Sequence, residues 1–294
     1  MGTRLWWWDD NQTEQDFLKR IERFKELLSK HPRLQQDVPA LAAAAIAADL
    51  HAEGAAPMGG GPLDVELRAI IEGLEEAAEE AAVQWQADGS STEPAARRQQ
   101  LLQHARSWRY LWDLPSNERL TLQHVKTAHG ILMHDAIAED GSTHFNGRFR
   151  EAGAYAASTG RNSTVFAPPD AIHDELESVL SRLDVSNLAS IAGFYERFLF
   201  VHPFKDGNGR LARLLVSRAL KLHGLPIPTS LATLPPKASK QLMRLINRHR
   251  DGRDTTHSLL RLYLVEVIHR SWQQFSQHVG RDGVDPIDTP PPAN

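Results

Sequence analysis

A chain of 294 residues, with 33 Lys plus Arg against 37 Asp plus Glu and a formal net charge of −4, is long enough to bury a core without disulfides or metals. The charge balance gives no electrostatic reason to expect a nucleic acid or an anionic membrane as partner, and the lack of cysteine excludes disulfide frameworks and thiolate metal sites. No run approaches the roughly 18 apolar residues of a membrane span, and the start MGTRLWWWDDNQ has no signal-peptide core, so a cytoplasmic protein is expected.

Between clusters of Pro and Gly, apolar residues recur at helical rather than alternating spacing, which predicts an all-α protein. Trp6, Trp7 and Trp8 cannot all face one core, because consecutive side chains point in different directions; the simplest role is to cap the first helix. Phe17, Ile21, Phe24, Leu27 and Leu28 give an amphipathic helix from Gln15 to Leu28, and Pro39 to Ala52 is an alanine-rich one. The glycines and prolines of EGAAPMGGGP, Glu53 to Pro62, stop it. Asp64 then starts a helix through Leu67, Ile70, Ile71 and Leu74 toward Trp85, before a second flexible break, ADGSSTEPA. A helix through Leu101, Leu102, Trp108 and Leu111 follows, and another from Thr121 to His134.

Ser142 to Pro169 is the exception. Rich in Gly, Ser, Thr and Asn with scattered Tyr, Phe and Val, it predicts a loop leading into a short β-hairpin that turns near Ser158 to Asn162. Helices resume at Asp170 to Leu183, Leu188 to Phe200, Lys237 to Arg250 and Ser258 to Val279, and the proline-rich tail is expected to be disordered. No internal repeat is present.

Chemistry concentrates in VHPFKDGNGRLAR, Val201 to Arg213. Asn187 caps the helix before it, with Leu188, Ile191, Ala192, Tyr195, Phe198 and Leu199 as its apolar face, and Pro203 ends it. Leu211, Leu214, Leu215 and Leu222 mark a second buried face, which Gly224 and Pro226 terminate. HPFKDGNG is thus a short loop between two anchored helices, and its end supplies the N-terminus of the second. Free backbone N–H groups and a positive dipole end make such a terminus an anion site.

Gly207 and Gly209 let phosphate oxygens approach the backbone, and Asn208 offers a side-chain amide. Arg210 and Arg213, three apart, can lean over one anion. Asp206 is out of place in a pure anion hole but fits a Mg²⁺ travelling with the phosphates. His202 supplies a base of near-neutral pKa for an attacking hydroxyl. Together these are the parts of a phosphoryl or nucleotidyl transferase, with Phe204 as the core anchor of the loop.

Two other readings fall short. GNGRLA matches the dinucleotide pattern GxGxxA, but the residues upstream are helical and LPIP stands where a ribose-binding acid is needed. A core histidine beside a polar turn does not explain so many coherent residues in so short a stretch. Zinc is unsupported, since no HExxH occurs.

HPFKDGNGR followed by Arg213 resembles the HPFx(D/E)GNGR signature of the Fic (filamentation induced by cAMP) domain family. NGRFR, Asn146 to Arg150, is similar to the family's segment before its β-hairpin flap, and VFAPP, Val165 to Pro169, to the segment after it. The resemblance implies an all-α Fic fold, a helical bundle with a flap over roughly Ala152 to Val165, and transfer of AMP from ATP to a Ser, Thr or Tyr hydroxyl of a protein. His202 would be the base and Asp206 the Mg²⁺ ligand. Gly207, Asn208 and Gly209 would form the anion hole, with Arg210 on the β- and γ-phosphates and Arg213 supporting it. The target protein would lie extended along the flap, and a homo-oligomer is compatible with all of this.

The same resemblance implies three regions: an N-terminal helical region at residues 1–95, the Fic domain at 96–279 and a disordered tail at 280–294. Many Fic proteins carry a helix of pattern (S/T)xxxE(G/N), whose glutamate occupies the motif arginine. DLHAEG offers Glu53 and RAIIEG offers Glu72, with Asp49 and Arg68 standing where Ser or Thr is expected. Glu53 is preferred because its helix ends there. The alternatives to an autoinhibited adenylyltransferase are a hydrolase that removes AMP on the same site, and a nucleotide-binding regulatory module.

Overall fold

The computed structural model describes residues 14–30, 38–39, 42–43, 45–46, 68–73, 95–134, 147–153, 155–156 and 164–226. Trp6 to Trp8, Glu53, the two glycine-rich breaks, both helices predicted beyond residue 226 and the tail lie outside them.

The predicted amphipathic helix forms as α1, Glu14–Lys30, and places Ile21 and Phe24 in the core. Residues 68–72 are helical and that turn breaks at Gly73, while the rest of the predicted helix toward Trp85 lies outside the described residues. At Gly73 the backbone turns to φ 82°, and its N–H bonds the Ile70 carbonyl at 3.2 Å. Arg109 explains the break, because its Nη1 donates to the same Ile70 carbonyl at 3.2 Å. A Cβ on Gly73 would lie 1.8 Å from that nitrogen, so only glycine fits under the guanidinium.

Arg109 belongs to α2, Ala95–Asp113, which packs against α3, Leu122–Leu132. Thr121 caps α3 with a reciprocal box: its hydroxyl accepts from the His124 N–H, and its own N–H donates to His124 Nδ1. A two-residue antiparallel ladder follows, β1 at Tyr155–Ala156 and β2 at Thr164–Val165, pairing Tyr155 with Val165 and Ala156 with Thr164. The predicted turn at Ser158 to Asn162 lies outside the described residues. A 3₁₀ turn, Pro169–Ala171, leads into α4, Ile172–Ser181, and then come α5, Leu188–Val201, and α6, Asn208–Leu222.

α5 buries the predicted stripe, Leu188, Ile191, Ala192, Tyr195, Phe198 and Leu199, and Asn187 Oδ1 caps it by accepting from the Ala189 N–H at 2.8 Å. α6 is buried on every side from Arg210 to Leu220 and packs against α2, α3 and α5, which makes it the central helix. It therefore carries three buried arginines. Arg218 is 1% exposed and donates to the Pro115 carbonyl at 2.6 Å. The other two, Arg210 and Arg213, lie at the opposite end, where the helix begins. Among the described residues no helix is long and apolar enough to cross a membrane.

Candidate active site

The loop between α5 and α6 opens at a strained residue. His202 has φ 47° and ψ 58° and is the one non-glycine with positive φ among the described residues. Left-handed geometry costs such a residue about 1–2 kcal/mol, so its surroundings must hold it there. Pro203 bars continuation of the helix, and the His202 N–H bonds the Phe198 carbonyl at 3.0 Å. The imidazole stacks on Phe166, with centroids 3.9 Å apart and planes 11° off parallel.

Arg150 does most of the holding. Its Nε donates to the His202 carbonyl at 2.7 Å, Nη2 to Val201 at 3.2 Å and also to Ala167, and Nη1 to Ala152 at 2.9 Å. Its backbone N–H bonds the Pro203 carbonyl at 2.9 Å. One buried guanidinium thus ties both ends of the segment holding β1 and β2 to the C-terminus of α5. Burial and then the nearby Arg150 charge push the His202 pKa down to about 4, opposed by a backbone hydrogen bond with Leu199 and then by the Asp206 charge. Near pH 7 the imidazole is neutral and able to accept a proton.

Phe204 is fully buried, as an anchor should be, and stacks on His129 with centroids 3.6 Å apart. Asn208 departs from the sequence expectation. Its Nδ2 donates to the Phe204 carbonyl at 2.8 Å and its Oδ1 accepts from the Phe204 N–H at 3.0 Å. The amide predicted to reach a phosphate is turned inward and closes the loop; what Asn208 offers outward is its backbone N–H at the start of α6.

Gly207 caps α6 at φ 76°, and its missing Cβ leaves room for Met133, whose Sδ would be 2.8 Å away. Gly209 differs: a Cβ there would meet only Arg213 Nη1, at an ordinary 3.6 Å. Packing within the protein does not require that glycine, whereas an approaching ligand would.

Asp206 is 64% exposed at its side chain; Oδ1 accepts from the Gly207 N–H at 2.6 Å, and Oδ2 lies 3.5 Å from Arg210 Nη2. Arg210 also reaches Met133 Sδ at 3.5 Å. Beneath the arginines lies His104, 1% exposed, with an Nδ1 that has no hydrogen-bond partner. Burial, then Arg213 and Arg210, lower its pKa well below that of a free histidine, so it packs there as a neutral ring.

The sequence-predicted residues His202, Asp206, Gly207, Asn208, Gly209, Arg210 and Arg213 are therefore gathered on one loop and the first turn of one helix. An exposed carboxylate beside the N-terminus of α6 suits a Mg²⁺ that takes one protein oxygen and completes its shell with phosphates and water. Asp206 would hold it. Among the described residues no three His, Asp or Glu side chains cluster as a metal cage. Glu72, the second candidate brake, is exposed at the end of its helical turn. Sequence reasoning missed His129, Met133 and His104, which line the underside of the loop from α2 and from α3 and its C-terminal cap.

Residues 119–220 match the Fic/DOC family model. The chain is 28% identical over 138 residues to a Fido domain-containing protein of Dictyostelium discoideum, covering 44% of this chain and 91% of that protein. It is also 28% identical over 119 residues to the uridine 5′-monophosphate transferase of Xanthomonas campestris pv. campestris (strain 8004), covering 36% of this chain but only 22% of that protein. A Fic domain-containing signaling protein from Bacteroides thetaiotaomicron superposes with a TM-score of 0.62 at 15% identity, over 93% of this chain and 99% of that one, which is a likeness of fold.

Proposed function

Since the chain belongs to the Fic/DOC family, through its domain at residues 119–220, we propose that it transfers AMP from ATP to a Ser, Thr or Tyr hydroxyl of a protein. The observation that carries this reading is the neutral imidazole of His202, held in strained geometry one short loop away from a glycine-bounded helix N-terminus. His202 takes the proton of the attacking hydroxyl, the hydroxyl oxygen bonds to the α-phosphorus, and pyrophosphate leaves with the electrons of the broken P–O bond. Gly207, Asn208 and Gly209 receive phosphate oxygens on backbone N–H groups, and Arg210, steadied by Arg213, holds the β- and γ-phosphates. When bound at Asp206, Mg²⁺ neutralises phosphate charge. The β1–β2 ladder is the flap, and an extended target segment adds main-chain hydrogen bonds to it.

One relative is a uridine 5′-monophosphate transferase, so the nucleotide is tested directly. Incubation with Mg²⁺ and either α-labelled ATP or α-labelled UTP is expected to label protein, the enzyme itself included, from ATP. Labelling from UTP alone replaces AMP by UMP in the proposal; release of AMP from a modified target without labelling supports the hydrolase instead. Gly209→Ala separates ligand from fold. Its Cβ meets nothing closer than 3.6 Å, so thermal stability should stay equal or rise slightly, while labelling falls at least about tenfold through steric exclusion of the phosphate.

A glutamate placed against Arg210 would remove the clamp that orients the nucleotide. The Gly73 turn bears on which one. Residues 68–72 end there, so Glu72 also closes a helical turn, and the reason for preferring Glu53 no longer separates the two. We keep the brake at Glu53, with Glu72 as the alternative. Glu53→Gly should raise labelling several-fold and Glu72→Gly should not; the opposite pattern in the same assay moves the brake to Glu72.

A further inference from the structure

His129 is fully buried on α3, and none of the assigned chemistry uses it. Three contacts from remote parts of the chain converge on its ring. The Gly147 N–H donates to Nδ1 at 3.3 Å, the Asp206 carbonyl lies 3.0 Å from Nε2, and Phe204 stacks on the ring with planes 6° from parallel. These contacts fix the tautomer. An Nδ1 that accepts from an amide carries no proton, so in the neutral ring the proton sits on Nε2 and is donated to Asp206.

The bond to Asp206 is well placed to matter. A carbonyl and the next N–H share one rigid plane, so holding the Asp206 carbonyl sets the direction of the Gly207 N–H. That N–H bonds Asp206 Oδ1 at 2.6 Å and so aims the carboxylate. Gly207 is also the N-cap of α6, at φ 76°, so the same plane sets where the free N–H groups of the first turn begin. His129 is itself well braced. Gly147 sits hard against α3, where a Cβ would lie 2.5 Å from the Lys126 carbonyl, and three residues further on Arg150 grips His202. Arg150 fixes the start of the loop and His129 fixes its end.

We propose that His129 is a positioning residue: its Nε2–H orients the Asp206–Gly207 peptide, and through it the Asp206 carboxylate and the phosphate cradle, so that it sets the affinity for a magnesium nucleotide. The proposal rests on the nucleotidyl-transfer reading and deepens it.

Two substitutions divide the ring's functions. The amide nitrogen of glutamine stands as many bonds from Cα as Nε2 does, so His129→Gln keeps a donor for Asp206. The oxygen of asparagine stands as many bonds out as Nδ1, so His129→Asn keeps the acceptor for Gly147 and loses the donor. Binding of ATP is measured by calorimetry at increasing Mg²⁺, and repeated with UTP, on proteins whose folding is checked by thermal melting. In folded protein, His129→Asn is expected to weaken magnesium-nucleotide binding about tenfold or more, the scale of lost supporting hydrogen bonds around a metal site. His129→Gln should stay within about threefold of wild type, since the bond that matters is kept. Wild-type binding in folded His129→Asn, or equal weakening in both variants, overturns the positioning role. Absence of binding by the wild type removes the transfer reading itself, which is a different failure. Because asparagine in so buried a site can cost the fold, wild-type protein labelled with ¹⁵N-histidine gives an independent measurement. His129 should show a protonated Nε2 and a bare Nδ1, with the Nε2 resonance moving when Mg²⁺ and ATP are added. A ring protonated at Nδ1, or one that does not respond, overturns the proposal.

Discussion

Replacement of His202 by alanine or asparagine is expected to lower labelling by at least about a hundredfold, the usual contribution of a positioned base. Asparagine is the cleaner change, because it tolerates left-handed geometry better than other non-glycine residues and so leaves φ 47° as accessible as histidine does. Equal labelling by wild type and a folded His202→Asn protein would remove the base from the mechanism. The pH profile gives a second check. With its pKa lowered to about 4 by burial and then by Arg150, the ring is deprotonated from pH 8 down past pH 5. Activity should therefore show no half-loss near 6.5, where an exposed histidine would titrate. Stability has a definite sign as well. The folded pKa lies below the unfolded one, so the contribution of the neutral ring is fully present above about 6.5 and is lost as the pH falls toward about 4. Urea melts across that window should steepen this loss in wild type relative to His202→Asn.

How far the sequence reached depended on whether a partner was near in the chain. The stripe on α5, its Asn187 cap and the order of loop and helix at 202–213 are local patterns, and each formed where periodicity placed it. The same periodicity predicts a helix through Gly73, because nothing nearby announces that Arg109, 39 residues away from Ile70, takes the Ile70 carbonyl. The residue type of Asn208 predicts a donor to phosphate; only the fold shows that the Phe204 backbone claims that amide. His129 was least visible of all. It sits among Val125, Ala128 and Leu132 on one buried helical face, where a histidine reads as a filled core position, and its acceptor on Asp206 is 77 residues away. Backbone carbonyls carry no sequence identity, so side chains that read them leave no motif.

Arg150, outside the motif, is another side chain that reads backbone carbonyls. Arg150→Leu removes the donor to four carbonyls, those of Ala152, Ala167, Val201 and His202. Hydrogen bonds from a charged group are each worth about 1.5–3 kcal/mol, and a carbonyl left buried without a donor adds its own cost. A loss of at least about 3 kcal/mol is expected in denaturant unfolding, even if two of the four recover a water. Arg150→Lys divides this effect. It keeps the positive charge beside His202 but not the planar fork, so stability should still fall while the His202 pKa stays near its wild-type value of about 4. In Arg150→Leu the charge is gone, and because that charge is the second cause of the lowered pKa, the His202 pKa should rise. Burial, the first cause, remains, so the new value should stop short of a free histidine's. Following the His202 ring protons by NMR against pH in wild type and both variants measures this directly. If the lysine variant shifts as far as the leucine variant, the loop geometry rather than the Arg150 charge controls the base, and Arg150 acts on His202 only by holding it in place.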